Sequence, residues 1–289
     1  MNSNPDVKAF FDPTTNTVSY VVSDRRTREC AVVDSVLDYD AKAGRLATHS
    51  VTQIIEYVQR HRLQVQWILE THVHADHLSA AQRVSQVIGG KVCIGEHIKV
   101  VQQTFSKIFN FETGFACDGS QFDRLFANGE AFMIGDVSAR VLYTPGHTPA
   151  CVTYVIGDAA FVGDTLFMPD HGTARADFPG GDARTLYRSI QKIFALPATT
   201  RLFMCHDYGA PGRPGFAWET TVEEERRANV HVAAGTGEDA FVAMRSRRDA
   251  ALDLPTLFLP SVQVNIRAGR LPPPEGNGVS YLKIPIELP

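Results

Sequence analysis

The chain has 289 residues, 44% of them apolar, with 28 basic and 32 acidic side chains that leave a formal charge of -4. That length supports one large buried core or two small ones, no Lys/Arg run suits a nucleic-acid arm, and no apolar run reaches membrane length, so neither nucleic acid nor a membrane is expected as a partner. Five cysteines (Cys30, Cys93, Cys117, Cys151, Cys205), odd in number and never in a C-x-x-C pair, argue for reduced thiols; with a start that lacks a basic, apolar leader they predict a cytoplasmic location.

Thr17 to Val22 and Cys30 to Val33 are β-branched runs separated by the charged turn Asp24 to Thr27, and read as antiparallel strands. Asp34 to Ala47 is polar and reads as a loop. Val51, Ile54, Ile55 and Val58 recur at helical spacing and predict a helix over Val51 to His61, capped by Ser50. Val65 to Leu69 reads as a buried strand, and Leu78 to Ile88 as a helix stopped by Gly89 and Gly90. Lys91 to Ile94 reads as strand and Glu96 to Phe109 as helix. In the second half, Glu130 to Ile134, Val137 to Tyr143, Cys151 to Ile156 and Ala159 to Val162 read as strands joined by turns at Gly135, Gly146 and Gly157. Asp182 to Leu196 returns to helix, Arg201 to Met204 is a strand, and Thr221 to Asn229 and Glu238 to Asp249 are helices. From about Leu254 onward, Pro272, Pro273 and Pro274 mark an irregular tail expected to lie over the surface. Periodicity alone yields mixed α and β. Strands and helices alternating in both halves suggest one domain over residues 1–289, two sheets back to back with helices outside.

Between the strand at Val65 and the helix at Leu78 the chain reads Thr71-His72-Val73-His74-Ala75-Asp76-His77. Imidazole and carboxylate are the groups that hold Zn, Fe or Mn, and a strand-to-helix loop can turn several of them inward together. A solvated polar loop is the competing reading. Thr144-Pro145-Gly146-His147-Thr148, Gly163-Asp164 and Cys205-His206-Asp207-Tyr208 also follow apolar strands, and Gly172 to Asp182 is a Gly-rich segment containing Arg175. Taken singly, His147 or His206 reads as a hydrogen-bonded structural histidine and Asp164 as a turn cap. Strand ends on one rim, however, are where distant residues gather into a pocket.

This order, T-H-x-H-x-D-H, G-H-T, G-D and H-D-Y, resembles the metallo-β-lactamase superfamily over roughly Thr17 to Asn229. The resemblance implies an α+β chain folded as an αβ/βα four-layer sandwich, with a metal site at one edge of the two sheets. It leaves the reaction open, because the superfamily is chemically diverse. In its dinuclear hydrolases the matching positions would put His72, His74 and His147 on one metal and Asp76, His77 and His206 on the other, with Asp164 bridging.

A narrower resemblance is to the persulfide dioxygenases. It is carried by Gly172-Thr173-Ala174-Arg175-Ala176-Asp177-Phe178, Gly181-Asp182, Leu186-Tyr187, Leu196-Pro197, His206-Asp207-Tyr208 and the run Thr221 to Arg226. It implies one non-haem Fe(II) per chain held by His72, His147 and Asp164, oxidising glutathione persulfide with O₂ to sulfite and glutathione. Tyr208 would donate its phenol at the site, and Arg175 and Arg226 would bind the glutathione carboxylates, a pairing that planar guanidinium suits. His74, Asp76, His77 and His206 would either orient His72 and Asp164 or hydrogen-bond iron-bound water, or else form a second metal site.

Bland readings stand beside these: Asp177 pairing with Arg175, Arg226 on a solvated helical face, Tyr208 as packing. The chain departs from the family at Thr173, where Cys is frequent, and at Ala150, where Gly is; Cys151 reads as a small buried hydrophobe. Val262 to Arg267 and Asn277-Gly278-Val279 resemble bacterial β-lactamase-like hydrolases, a name of fold rather than of chemistry. The rival implied activity is a glyoxalase II-like thioester hydrolase acting on S-acylglutathione with two Zn(II). Phe178 to Asp182 fits the dioxygenases better, and a basic helical region for glutathione is not apparent after Asn229. A metal- or sulfide-sensing module without catalysis fits poorly with a complete ligand set. A homodimer is compatible with the sequence, and Arg267 and Arg270 have no role derivable from it.

Overall fold

The structure, a computed structural model, describes residues 4–286. The first half runs β1 (Asp6–Asp12), β2 (Thr17–Ser23), β3 (Glu29–Val33), β4 (Val36–Asp40), β5 (Arg45–Ala47), α1 (His49–Arg60), β6 (Gln64–Leu69), β7 (Leu78–Ser79), α2 (Ala81–Ile88), β8 (Lys91–Gly95), α3 (Ile98–Ile108) and β9 (Arg124–Phe126). The second runs β10 (Ala131–Ile134), β11 (Val137–Tyr143), β12 (Val152–Ile156), β13 (Ala159–Phe161), α4 (Ala183–Phe194), β14 (Arg201–Phe203), β15 (Glu219–Thr221), α5 (Val222–Ala228), α6 (Glu238–Asp249) and α7 (Phe258–Asn265).

Two six-stranded sheets result, in the orders β1-β2-β3-β6-β8-β9 and β10-β11-β12-β13-β14-β15. β2 shows why they must stack. All seven of its residues are buried, so neither face meets water. Successive side chains point to opposite faces: Val18, Tyr20 and Val22 join the core between the sheets, against Phe132, Ile134, Tyr154, Phe161 and Phe203. Val21 turns the other way, into the layer with Val51, Ile54 and Val58 of α1 and Ile98, Val101 and Phe105 of α3. On the far side of the second sheet, Ala160, Val162 and Leu202 pack against Leu186, Ile190 and Ile193 of α4 and Phe241 of α6. The chain is therefore the expected αβ/βα four-layer sandwich. Among the described residues no helix is long and apolar enough to cross a membrane.

Several sequence expectations need correction. The stretch from Asp34 to Ala47, expected as a loop, contains the β4–β5 hairpin, and β4 also pairs with β7. β1, β9 and β15 were not anticipated; each is a sheet-edge or next-to-edge element too short or too polar to show a clear period. The expected irregular tail from Leu254 contains α7, whose Ser261 to Asn265 are all buried. A helix buried on most sides shows no amphipathic stripe. Pro260 is tolerated because it falls in the first turn, where the missing N–H has no intrahelical acceptor.

Gly146 joins fold to site. Its φ is +140°, and a Cβ built on it would stand 2.3 Å from the Leu186 Cα of α4. Neither the strained backbone angle nor the closeness of another backbone can relax cheaply. Gly146→Ala is expected to cost about 3 kcal/mol or more, read as a lowered melting temperature; an unchanged Tm would show that α4 can move away from the His147 turn.

Candidate metal centre

The residues singled out in the sequence come together at one rim of the sandwich. His72 follows β6, His147 follows β11, Asp164 follows β13 and His206 follows β14. The two sheets are stitched here: Val18 N–H donates to the Cys205 carbonyl at 2.7 Å and Asp207 N–H to that of Asn16 at 3.1 Å. One ligand atom each from His72, His147 and Asp164 lie within 4.8 Å of one another, as do those of His74, Asp76 and His77. Asp164 stands between two imidazoles, 3.7 Å from His147 Nε2 and 3.4 Å from His206 Nε2, and Asp76 is 3.5 Å from His206 Nε2.

Five buried atoms in this cluster have no hydrogen-bond partner: His72 Nε2, His74 Nδ1, His77 Nε2, His206 Nε2 and Asp164 Oδ1. A buried polar atom left unpaired costs roughly 1–3 kcal/mol. Five such atoms, all of metal-binding type, fit a cation far better than an empty polar core.

The remaining atoms of these side chains are committed in ways that turn the lone pairs inward. His147 Nδ1 lies 2.8 Å from the Arg175 carbonyl, which can only accept, so Nδ1 carries the proton and Nε2 is left as a ligand. Thr71 Oγ1 donates to Asp34 at 2.9 Å and so accepts from His72 Nδ1 at 3.0 Å, which frees His72 Nε2 in the same manner. His74 Nε2 is 2.9 Å from Asp34 and 3.5 Å from Glu70. Asp34 and Glu70 thus orient the metal loop, yet both are single carboxylates after β3 and β6 with no motif of their own, and the sequence reading missed them. It also missed Asn265 of α7, whose amide donates to the carbonyls of His74 and His77 at 2.9 and 2.8 Å and accepts from Ser79 N–H at 2.7 Å.

Electrostatics follow the same division. Burial, then the neighbouring His74 and His147, holds His72 well below the usual imidazole range, so it is the neutral form that a cation needs. Burial also lowers His147, outweighing the pull of Asp164. Burial would lower His74 and His206 too, but Asp34 for the first and Asp76 with Asp164 for the second overcome it and raise both well above the ordinary value.

The cluster opens into a cavity of about 1040 Å³ whose lining includes Asp76, His147, Asp164, Phe167, Arg175 and Tyr208. Tyr208 stacks on His206, ring centres 5.5 Å apart, with its phenol at the cavity. Arg175 reaches the cavity but is already engaged: it grips Asp177 with two bonds of 2.6 and 2.7 Å and donates to the Asp253 carbonyl at 2.7 Å. Arg226 requires correction, since it is exposed on α5 and outside the cavity lining. The run Glu223-Glu224-Glu225-Arg226-Arg227 buries Glu225 instead, which turns Arg226 to solvent.

Arg267, without a role in the sequence, is buried, pairs with Glu112 at 2.8 Å and lies over the rings of Phe111 and Phe115. Arg270 donates to the Gln121 carbonyl. Burial pushes the Cys151 thiol up to about 12, as suits an unreactive small hydrophobe. Because the Arg175 backbone, not its side chain, holds His147, Arg175→Ala is expected to leave metal content intact; loss of metal would place the side chain in the centre instead.

The family model of the metallo-beta-lactamase superfamily matches residues 12–206. The chain is 57% identical to a probable metallo-hydrolase of Burkholderia pseudomallei, over 97% of this chain and 99% of that one. It is 48% identical to Glyoxylase B2 of Dictyostelium discoideum, over 99% and 98%. It is 29% identical to the mitochondrial persulfide dioxygenase ETHE1 of Bos taurus, over 93% and 90%. Among solved structures, ETHE1 from Myxococcus xanthus superposes with a TM-score of 0.72 at 27% identity, covering 92% of this chain and all of that one.

Proposed function

The chain belongs to the metallo-beta-lactamase superfamily, and from that premise we propose that it is a persulfide dioxygenase that holds one ferrous iron on His72, His147 and Asp164 and oxidises glutathione persulfide with O₂ to sulfite and glutathione. The observation that carries this reading is the buried set of two imidazoles and one carboxylate, each turned toward a shared centre beside a large cavity. Two His and one carboxylate on one face are the ligand type of non-haem Fe(II) oxygenases, with open positions left for co-substrates. Ferrous iron bound there would supply the redox chemistry, with room for O₂ and a sulfur anion side by side.

The protein's own part is placement. Asp34 through Thr71, and the Arg175 carbonyl, keep His72 and His147 in the ligand tautomer. Asp164 brings the negative charge that a dication requires. Phe167 and Phe178 line the cavity and limit water near the reacting groups. Tyr208 offers a phenolic donor to the substrate. The stoichiometry closes: the terminal sulfur gives up four electrons, O₂ accepts them, and water supplies the third sulfite oxygen while glutathione leaves as the thiol.

A second reading has its own support. Asp164 lies between His147 and His206, His77 Nε2 is unpartnered, and the relation to Glyoxylase B2 extends over nearly the whole chain. These favour a two-metal thioester hydrolase acting on S-acylglutathione. His77→Ala separates the readings by metal analysis: about one iron per chain is retained in the dioxygenase reading, whereas the two-metal reading requires that one of two ions be lost.

A further inference from the structure

The two arginines that the resemblance assigned to glutathione are engaged elsewhere or lie outside the cavity, which leaves the recognition of an anionic substrate without a partner. The cavity itself supplies one. Arg248, near the C-terminal end of α6, lines it, and its guanidinium makes no hydrogen bond or ion pair among the described residues. Of the other arginines in the lining, Arg175 is neutralised by Asp177 and Arg245 by Asp249 at 2.6 Å, while Arg45, with Lys42, belongs to the β4–β5 hairpin rather than to the α6 wall.

Beside Arg248 stands His231, also in the lining. The N–H of Thr173 donates to His231 Nδ1 at 3.0 Å. That nitrogen must therefore be the acceptor, and Nε2 carries the proton as a fixed donor. The packing that holds the ring is close: a Cβ on Gly172, whose φ is +101°, would stand 2.1 Å from His231 Nδ1. His171, its ring 5.2 Å from that of Tyr208, completes the wall.

Positive charge is in excess here. Burial, then Arg245, Arg248 and His171, push His231 down to about 4. The nearby carboxylates are largely taken: Asp249 by Arg245, Asp170 by Arg213 at 2.7 Å. Asp253 lines the same end of the cavity, and its carboxylate makes no bond to Arg248.

We propose that Arg248 and the Nε2–H of His231 form an anion subsite that binds a carboxylate of the substrate. In the reading given above this is one of the two carboxylates of glutathione, and the inference rests on that reading for the ligand's identity. A guanidinium and a neutral N–H donor facing one oxyanion make charge-assisted bonds that a neutral substrate cannot use. The subsite would thereby select a peptide thiol over a small uncharged one, whichever reaction follows at the metal.

The test is calorimetric titration of the metal-loaded protein with S-methylglutathione and with S-methylcysteamine, which lacks both carboxylates. The unaltered protein is expected to prefer the glutathione derivative. Arg248→Ala is expected to reduce that preference about tenfold, and Arg248→Lys to restore part of it. An unaltered protein without the preference, a preference that survives Arg248→Ala, or an equal loss for both ligands would overturn the proposal. Binding is read without turnover. A preference that depends on Arg248 in a protein unable to oxidise persulfide would keep the subsite and remove the dioxygenase reading, and persulfide oxidation with no such dependence would do the reverse.

Discussion

Asp164→Asn protein is expected to purify folded but with roughly a tenth or less of the metal of the unaltered chain, and with a matching loss of turnover. Asparagine keeps the shape of the side chain and removes its charge. Asp164 contributes the carboxylate of the His72–His147–Asp164 set, with Oδ1 buried and unpartnered and both oxygens facing imidazole nitrogens. Without the negative charge, a dication held by neutral imidazoles in a buried site loses its largest electrostatic compensation. The loss holds for either nuclearity, since the same carboxylate would bridge two ions. Metal analysis of the purified variant, with a melting scan to establish folding, provides the check. Full retention of metal would remove Asp164 from the ligand set.

Asn265→Ala is the second large effect. The Asn265 amide makes three hydrogen bonds to the backbone of the metal loop and of Ser79 in β7, at 2.7, 2.8 and 2.9 Å. Truncation leaves two carbonyls and one N–H buried without partners in a region closed to water. At 1–3 kcal/mol for each orphaned group, shared over some relaxation, the expected cost is about 3 kcal/mol in stability. For a domain of this size that is a fall of roughly 6–12 °C in Tm. The freed loop carries His74, Asp76 and His77, so metal affinity is expected to fall about 10- to 100-fold. Asn265→Asp keeps the acceptor for Ser79 and loses both donors, and should fall at least as far in metal affinity because its charge faces two carbonyls. A melting scan and a metal-competition titration measure the two effects; a variant unchanged in both would mean that α7 merely covers the loop.

The gathering of the candidate ligands was legible in the sequence because they fall at strand ends, and apolar strands are readable. Val65 to Leu69 announces the position of His72, and Val141 to Tyr143 that of His147. The carboxylates that orient the ligands were not legible, for a physical reason. Asp34 and Glu70 act through contacts with residues 37 and 4 positions away, and nothing local distinguishes a buried, bonded aspartate from a solvated one. Asp34 did carry one signal, a short polar residue directly after an apolar strand where the backbone takes a φ of 50°. α7 escaped because burial on most sides erases the 3.6-residue stripe by which helices are recognised. The arginines show the converse limit. Arg175 and Arg226 carry a plausible chemistry in the abstract, but one is satisfied by Asp177 and the other points to water. Arg248, in a helix expected from the sequence, carries no local signal, because exposure to a cavity cannot be told from exposure to bulk solvent in a string of residues.

The proposal that this metal centre holds a single iron reacting with O₂ has a direct test. Protein purified without air, assayed for metal and then given glutathione persulfide in an oxygen electrode, tests it most directly. About one iron per chain, O₂ uptake, and sulfite formed in proportion are expected. Two zinc ions per chain, no O₂ uptake and ready hydrolysis of S-lactoylglutathione would contradict it.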